Sequence, residues 1–139
     1  MAVDLENHLI STDIWNDKAF QALSPEAKTC FIYLISAAGA TLWGIQPFNL
    51  IRIAADLSCS QAAAQQLLEE LHRAGLVRWL PDRSLLWVPD WWNYHGIADE
   101  EARDYCLSRL EEYKNLHPDL KEFVETSQKI LRAAPPYPG

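Results

Sequence analysis

The segment Pro47–Trp92 reads PFNLIRIAADLSCSQAAAQQLLEELHRAGLVRWLPDRSLLWVPDWW, and its periodicities decide the fold. Leu50, Ile53, Ala54 and Leu57 recur at three- and four-residue spacing, which predicts a short helix over Asn49–Asp56 with one apolar stripe. The pattern breaks at Leu57-Ser58-Cys59-Ser60. Ser60 suits a helix N-cap, because its hydroxyl can accept a free backbone N–H of the next turn. A second helix is predicted over Gln61–Ala74, with Ala64, Leu67, Leu68 and Leu71 facing inward. Gly75 fits the left-handed position that closes many helices. Gln61, Ala62, Gln65, Gln66, Glu69 and Arg73 are left on the outer face.

Two short helices joined by a tight turn fit either a helix-turn-helix or a plain packed pair. Ala54 stands where two helices must cross closely. Ser58 occupies the turn position that favours glycine for its positive φ, and Ala64 stands where a larger aliphatic side chain is usual. The residues that follow favour the helix-turn-helix. Leu76–Leu80 and Leu85–Val88 are rich in strand formers, and Pro81-Asp82-Arg83-Ser84 between them has turn chemistry. Helix, turn, helix, strand, turn, strand is the outline of a winged helix. The fold class expected is α+β, mostly helical: a winged helix-turn-helix with a small β-ribbon and a C-terminal helical extension.

In a helix-turn-helix the second helix enters the major groove and meets base edges with its N-terminal residues. A Gln amide can pair with adenine N6 and N7. The residues expected to touch DNA are therefore Gln61, Ala62, Gln65, Gln66 and Arg73, with Arg78 and Arg83 from the ribbon. Arg83 at the tip suits a phosphate or the minor groove, and equally a solvated hairpin.

A family resemblance rests on the order of several pieces. They are Ile14-Trp15-Asn16-Asp17, Leu23-Ser24-Pro25-Glu26-Ala27-Lys28, Phe31-Ile32-Tyr33-Leu34, Gly44-Ile45, Ile53–Leu57, Leu68–Leu71, Ala74–Val77 and Leu86-Trp87-Val88. In this order they resemble the N-terminal winged-helix domain of phage and prophage replication proteins, the replisome organisers and related initiators. The resemblance covers about residues 13–95. It implies a domain that binds origin DNA. The helicase-loading function of the family's separate C-terminal region is not carried over, since only about 45 residues follow the region of resemblance.

Charge pulls the other way. The chain has 139 residues, a net charge of −7 and a pI near 5.0, whereas DNA-binding proteins usually display a basic face. The deficit is uneven: −3 over residues 1–44, −1 over 45–96 and −3 over 97–139. Arg52, Arg73, Arg78 and Arg83 all lie in the nearly neutral middle. If they share a face with Gln61 and Gln65, DNA binding gains; if acids line that face, a protein partner does.

Outside the motif, residues 1–12 suit an arm or an early strand. A short helix within Asp13–Leu23 is expected to lay Trp15 and Phe20 on the core. Ser24-Pro25-Glu26 is a helix start, with a serine cap, proline at the first helical position and an acid in the first turn. The helix over Ala27–Ala38 presents Phe31, Leu34 and Ile35 inward. Leu42–Gln46 is expected as a third strand beside the ribbon, with Trp43 packing. Trp87 and Trp91 are expected in the core. Trp92 and Tyr94 suit either packing or recognition. Ile97–Leu116 and Asp119–Ala133 are two further amphipathic helical patterns, broken at His117-Pro118. They form either a buttress or a partner-docking arm. The domains expected are 1–96 for the winged helix, 97–134 for the helical hairpin and 135–139 for a flexible Pro-rich tail.

No P-loop, nucleophile elbow or metal-ligand cluster is present, so an enzyme, a metal or a cofactor is not expected. Glu69-Glu70 and Glu111-Glu112 read as solvated pairs. Cys30, Cys59 and Cys106 are isolated. The N-terminus has no signal-like run and no stretch is long enough to span a bilayer, so a reduced, cytoplasmic protein without a membrane partner is expected. Two functions remain. One is a phage-type protein that binds double-stranded DNA as a homodimer, in replication initiation or transcriptional control. The other is an acidic protein-binding winged helix that inhibits a host nucleic-acid or defence complex, in an anti-CRISPR-like role. Its partner surface would be Trp92, Tyr94, Glu101, Glu111 and Glu112.

Overall fold

The computed structural model describes residues 10–36, 41–97 and 99–133, with Pro81 described in its backbone only. Residues 1–9 of the expected arm or early strand over 1–12, and the Pro-rich tail, lie outside the described residues. The chain divides into two compact units: Thr12–Asp90, and a second that joins Ile10 and Ser11 to the residues from Trp91 onward. Mostly helical, it carries one small antiparallel sheet.

The first unit opens with a 3-10 turn, Thr12–Asn16, and a single-turn helix α1, Lys18–Gln21, capped by Asp17. Helix α2, Pro25–Ser36, follows and buries Ala27, Cys30, Phe31, Leu34 and Ile35. Strand β1 is Ile45–Pro47, helix α3 Leu50–Asp56 and helix α4 Gln61–Arg73. Strands β2, Arg78–Leu80, and β3, Leu85–Trp87, form the ribbon. The sheet order is β1-β3-β2, with Ile45 opposite Trp87 and Trp79 opposite Leu86. The expected third strand is therefore present beside the ribbon, beginning three residues later than predicted. Helix α4 packs on both α2 and α3. Fully buried Phe20, Phe31, Leu68, Leu71 and Leu86 are among the core residues.

Two helices of this unit end alike. At the end of α3, Ser58 N–H donates to the Ala55 carbonyl and Cys59 N–H to the Ala54 carbonyl, at 3.2 and 3.0 Å. At the end of α4, Gly75 N–H donates to His72 and Leu76 N–H to Leu71, each at 3.0 Å. Both are Schellman closures, which need a left-handed residue at the first position past the cap. Ser58 sits at φ 57° and Gly75 at φ 78°. The serine thus holds the glycine-favouring conformation the turn demands.

Trp15 departs from expectation. It is 58% exposed and meets the buried Phe20 ring edge-on at 5.2 Å. The 3-10 turn before α1 gives Thr12–Gln21 no single helical period, so Trp15 and Phe20 do not share an inward face.

In the second unit, Trp91–Tyr94 forms one helical turn, α5. Ile10 bridges His95 in antiparallel fashion, a remnant of the early strand. Helix α6, Glu100–Glu111, is capped by Asp99, and Pro118 opens helix α7, Pro118–Ala133. The two pack together; α6 buries Ala102, Cys106 and Leu110, and α7 buries Leu120, Phe123, Val124 and Leu131. Ile130 is 41% exposed, while the polar Ser127 and Gln128 are buried. Among the described residues no helix is long and apolar enough to cross a membrane.

Candidate nucleic-acid interface

Helix α4 is fixed at both ends and along both flanks. Ser60 accepts the Ala63 N–H at 3.0 Å, as its capping role requires. On one flank the Glu70 carboxylate accepts the Ser24 N–H at 2.9 Å and the Ser24 hydroxyl at 3.0 Å. Ser24 Oγ in turn accepts the Ala27 N–H at 3.1 Å. Glu70 therefore closes the free amide end of α2 and ties it to α4. This corrects the reading of Glu69-Glu70 as a solvated pair. The start of α2 was legible, but its partner 46 residues away was not. The only hint was a serine cap with donors to spare.

On the other flank, the His72 ring lies 5.0 Å from that of Trp79, and its Nδ1 lies 3.3 Å from the Val77 carbonyl oxygen. A carbonyl only accepts, so this bond requires the proton on Nδ1. The pair couples the end of α4 to the ribbon. Neither residue stood out in the sequence as part of a site.

The outer surface of α4 presents Gln61, Ala62, Gln66 and Arg73 as exposed residues and Gln65 as half-buried. Glu69 stands exposed among them and accepts Gln65 Nε2 at 3.2 Å. Arg78 is exposed at the start of β2 and Arg83 at the ribbon tip. Arg73 and Arg83 form no ion pair among the described residues. Arg73 borders a hollow of about 560 Å³ together with Gln66, Glu26, Glu69 and Glu70.

Arg52 belongs elsewhere. Its Nε lies 3.7 Å from Asp56, one turn along α3, and it lines a separate hollow with Tyr33, Asn49 and Leu86. The Tyr33 hydroxyl donates to Asp56 at 2.6 Å. Burial, and then this bond to a carboxylate, push the Tyr33 phenol up to about 12. The middle region's arginines therefore divide, with Arg52 committed to its own helix.

The residues expected to meet a protein partner fare differently. Tyr94 is 2% exposed and belongs to the core, which corrects its assignment to a recognition surface. A turn of helix at Trp91–Tyr94 directs it inward along with Trp91, which stacks on His95 at 3.6 Å. Trp92 is half-buried, and its indole N–H has no partner among the described residues. Glu101, Glu111 and Glu112 are exposed. Glu111 accepts Gln128 Nε2 at 2.7 Å, and Glu112 pairs with Arg109 at 2.9 Å.

Burial raises the Cys30 and Cys106 thiols to about 12, which suits packing rather than reactivity. Among the described residues no three His, Cys, Asp or Glu side chains are grouped to hold a metal ion. No protein-family model matches the chain, and no curated protein and no solved structure matches it.

Proposed function

We propose that the unit Thr12–Asp90 is a winged helix that binds double-stranded DNA, with α4 in the major groove and the β2–β3 ribbon as the wing. The observation that carries this reading is the topology: α2, β1, α3, α4, β2, β3 in order, with β1 joining the outer side of the ribbon's second strand. A capped, doubly flanked α4 can hold Gln61, Gln65, Gln66 and Arg73 in one orientation, as base-edge reading requires. Arg83 at the tip contacts a phosphate, and Arg78 supports the same strand. With few unpaired cations, binding is weak and needs low salt. By its resemblance, the chain serves phage-type replication initiation or transcriptional control.

A protein partner is the second reading, and Glu69 favours it. This carboxylate stands on the outer face of α4, with Glu26 and Glu70 beside Arg73. Such a face repels phosphate and suits a basic surface on a host complex.

Fluorescence anisotropy with labelled duplexes across a salt series separates the two. On the DNA reading, Arg83→Ala weakens binding to every sequence and lowers the salt slope by about one, while Gln61→Ala relaxes base preference at a cost of about 1–3 kcal/mol. Both side chains are exposed, so folding survives. No binding at low salt, or an equal loss when Glu111 and Glu112 alone are neutralised, overturns the DNA reading in favour of a protein partner.

A further inference from the structure

The second unit is acidic in sequence, yet its basic residues are not evenly used. Arg103 is held between Glu100 and Asp104, at 3.0 and 3.3 Å, and Arg109 pairs with Glu112 at 2.9 Å. Lys114, Lys129 and Arg132 do the opposite. They line one open hollow of about 450 Å³, past the end of α6 and along the last turns of α7. None of the three makes an ion pair among the described residues. Glu125 lies four residues before Lys129 and borders the same hollow, but no bridge forms between them. Lys129 and Arg132 are exposed and Lys114 is half-buried.

We infer that this hollow is a second nucleic-acid contact, one that takes phosphate groups of the backbone without reading sequence. Two cations of α7 and one from the turn after α6 line it together, and a guanidinium fork beside two ammonium groups suits the oxygens of a phosphodiester. Its other lining residues are Glu125, Gln128 and Ala133. Ala133 is its one apolar lining residue, and the rest of its apolar surface comes from the aliphatic stems of the long polar side chains. Recognition there is by charge, and phosphate neutralisation is the main source of such affinity. This contact extends the DNA reading proposed above and rests on it, while using none of the α4 or ribbon residues.

The test uses the full chain and a labelled duplex of mixed sequence, with anisotropy measured across a salt series. Two variants are compared with wild type: K114Q/K129Q/R132Q in the hollow, and R73A/R83A in the first unit. A third, K114R/K129R/R132K, keeps the charge. Circular dichroism checks that each variant is folded. The expected result is that the Gln triple variant binds at least about tenfold more weakly at low salt and loses about three from the salt slope. The charge-keeping variant stays near wild type. If the Gln variant binds like wild type while R73A/R83A weakens binding, the hollow is not a contact and the α4 reading stands. If the Gln variant weakens binding and R73A/R83A does not, the hollow is the contact and the α4 reading falls. Failure of the wild type to bind duplex at low salt overturns both.

Discussion

Helices α4 and α7 are both amphipathic, and both bury leucines. They differ in how their polar groups are spent. Along α4 the polar contacts are directional and satisfied. Ser60 caps its start, Gly75 closes its end, Glu70 receives two donors from Ser24, and His72 meets the Val77 carbonyl. Along α7, Ser127 is buried with no partner for its hydroxyl, and the buried Gln128 reaches Glu111. Apolar burial alone sets a helix against a core but fixes its rotation loosely. Hydrogen bonds with defined geometry fix the rest. The difference suits a helix that presents side chains in register, set beside one that presents only charge.

Breaking the Glu70 contact should have the largest effect on this comparison. Glu70→Gln leaves one acceptor where two donors converge, and should cost about 2 kcal/mol in chemical denaturation. A loss below about 0.5 kcal/mol would show that α4 is held by its apolar face, as α7 is.

The two helix closures give the next effects, of opposite sign. Nothing lies within 4 Å of a Cβ built at Gly75, so Gly75→Ala is disfavoured by its left-handed backbone alone, at about 1 kcal/mol. Ser58→Gly relieves the same conformation and should stabilise by about 0.5 kcal/mol, since the added freedom of the unfolded chain offsets part of the gain. Equal and negligible shifts in thermal midpoint would remove the backbone account of both closures.

The smallest change belongs to α7. Ser127→Ala deletes a buried hydroxyl that has no partner, and should stabilise by about 0.5 kcal/mol. A clear loss of stability in the denaturation curve would mean that the hydroxyl does bond in solution, and α7 would then match α4.

How much of this was legible follows from the range of each interaction. Local signals carried well. Ser60, Gly75 and Pro118 marked helix ends at or next to their observed positions, because caps and left-handed closures depend on a few neighbouring residues. The ribbon and its third strand were also readable, from strand formers around Pro81–Ser84. Non-local choices were not. Glu70 and Ser24 lie 46 residues apart, and nothing in either neighbourhood names the other. Trp15 reads as core by composition, yet the turn before α1 leaves it exposed. Ser127 looks like a surface residue, but spacing from Leu120, Val124 and Leu131 places it on the buried face of α7, while Ile130 falls beside it. Of the candidate site, the outer residues of α4 are exposed as read, except Gln65, which is half-buried. That Arg52 is bound to Asp56 needed the folded arrangement, whereas Glu69 already stood among the glutamines on the outer face read from the sequence.

The most direct test of the central claim is a two-dimensional amide NMR titration of the full chain with a duplex at low salt. The account predicts shift changes concentrated in Gln61–Arg73 and in the ribbon from Arg78 to Leu85, with the Ser24 amide little changed because Glu70 already holds it. Contradiction would be a duplex that leaves Gln61–Arg73 unperturbed, whether or not it perturbs the rest of the chain.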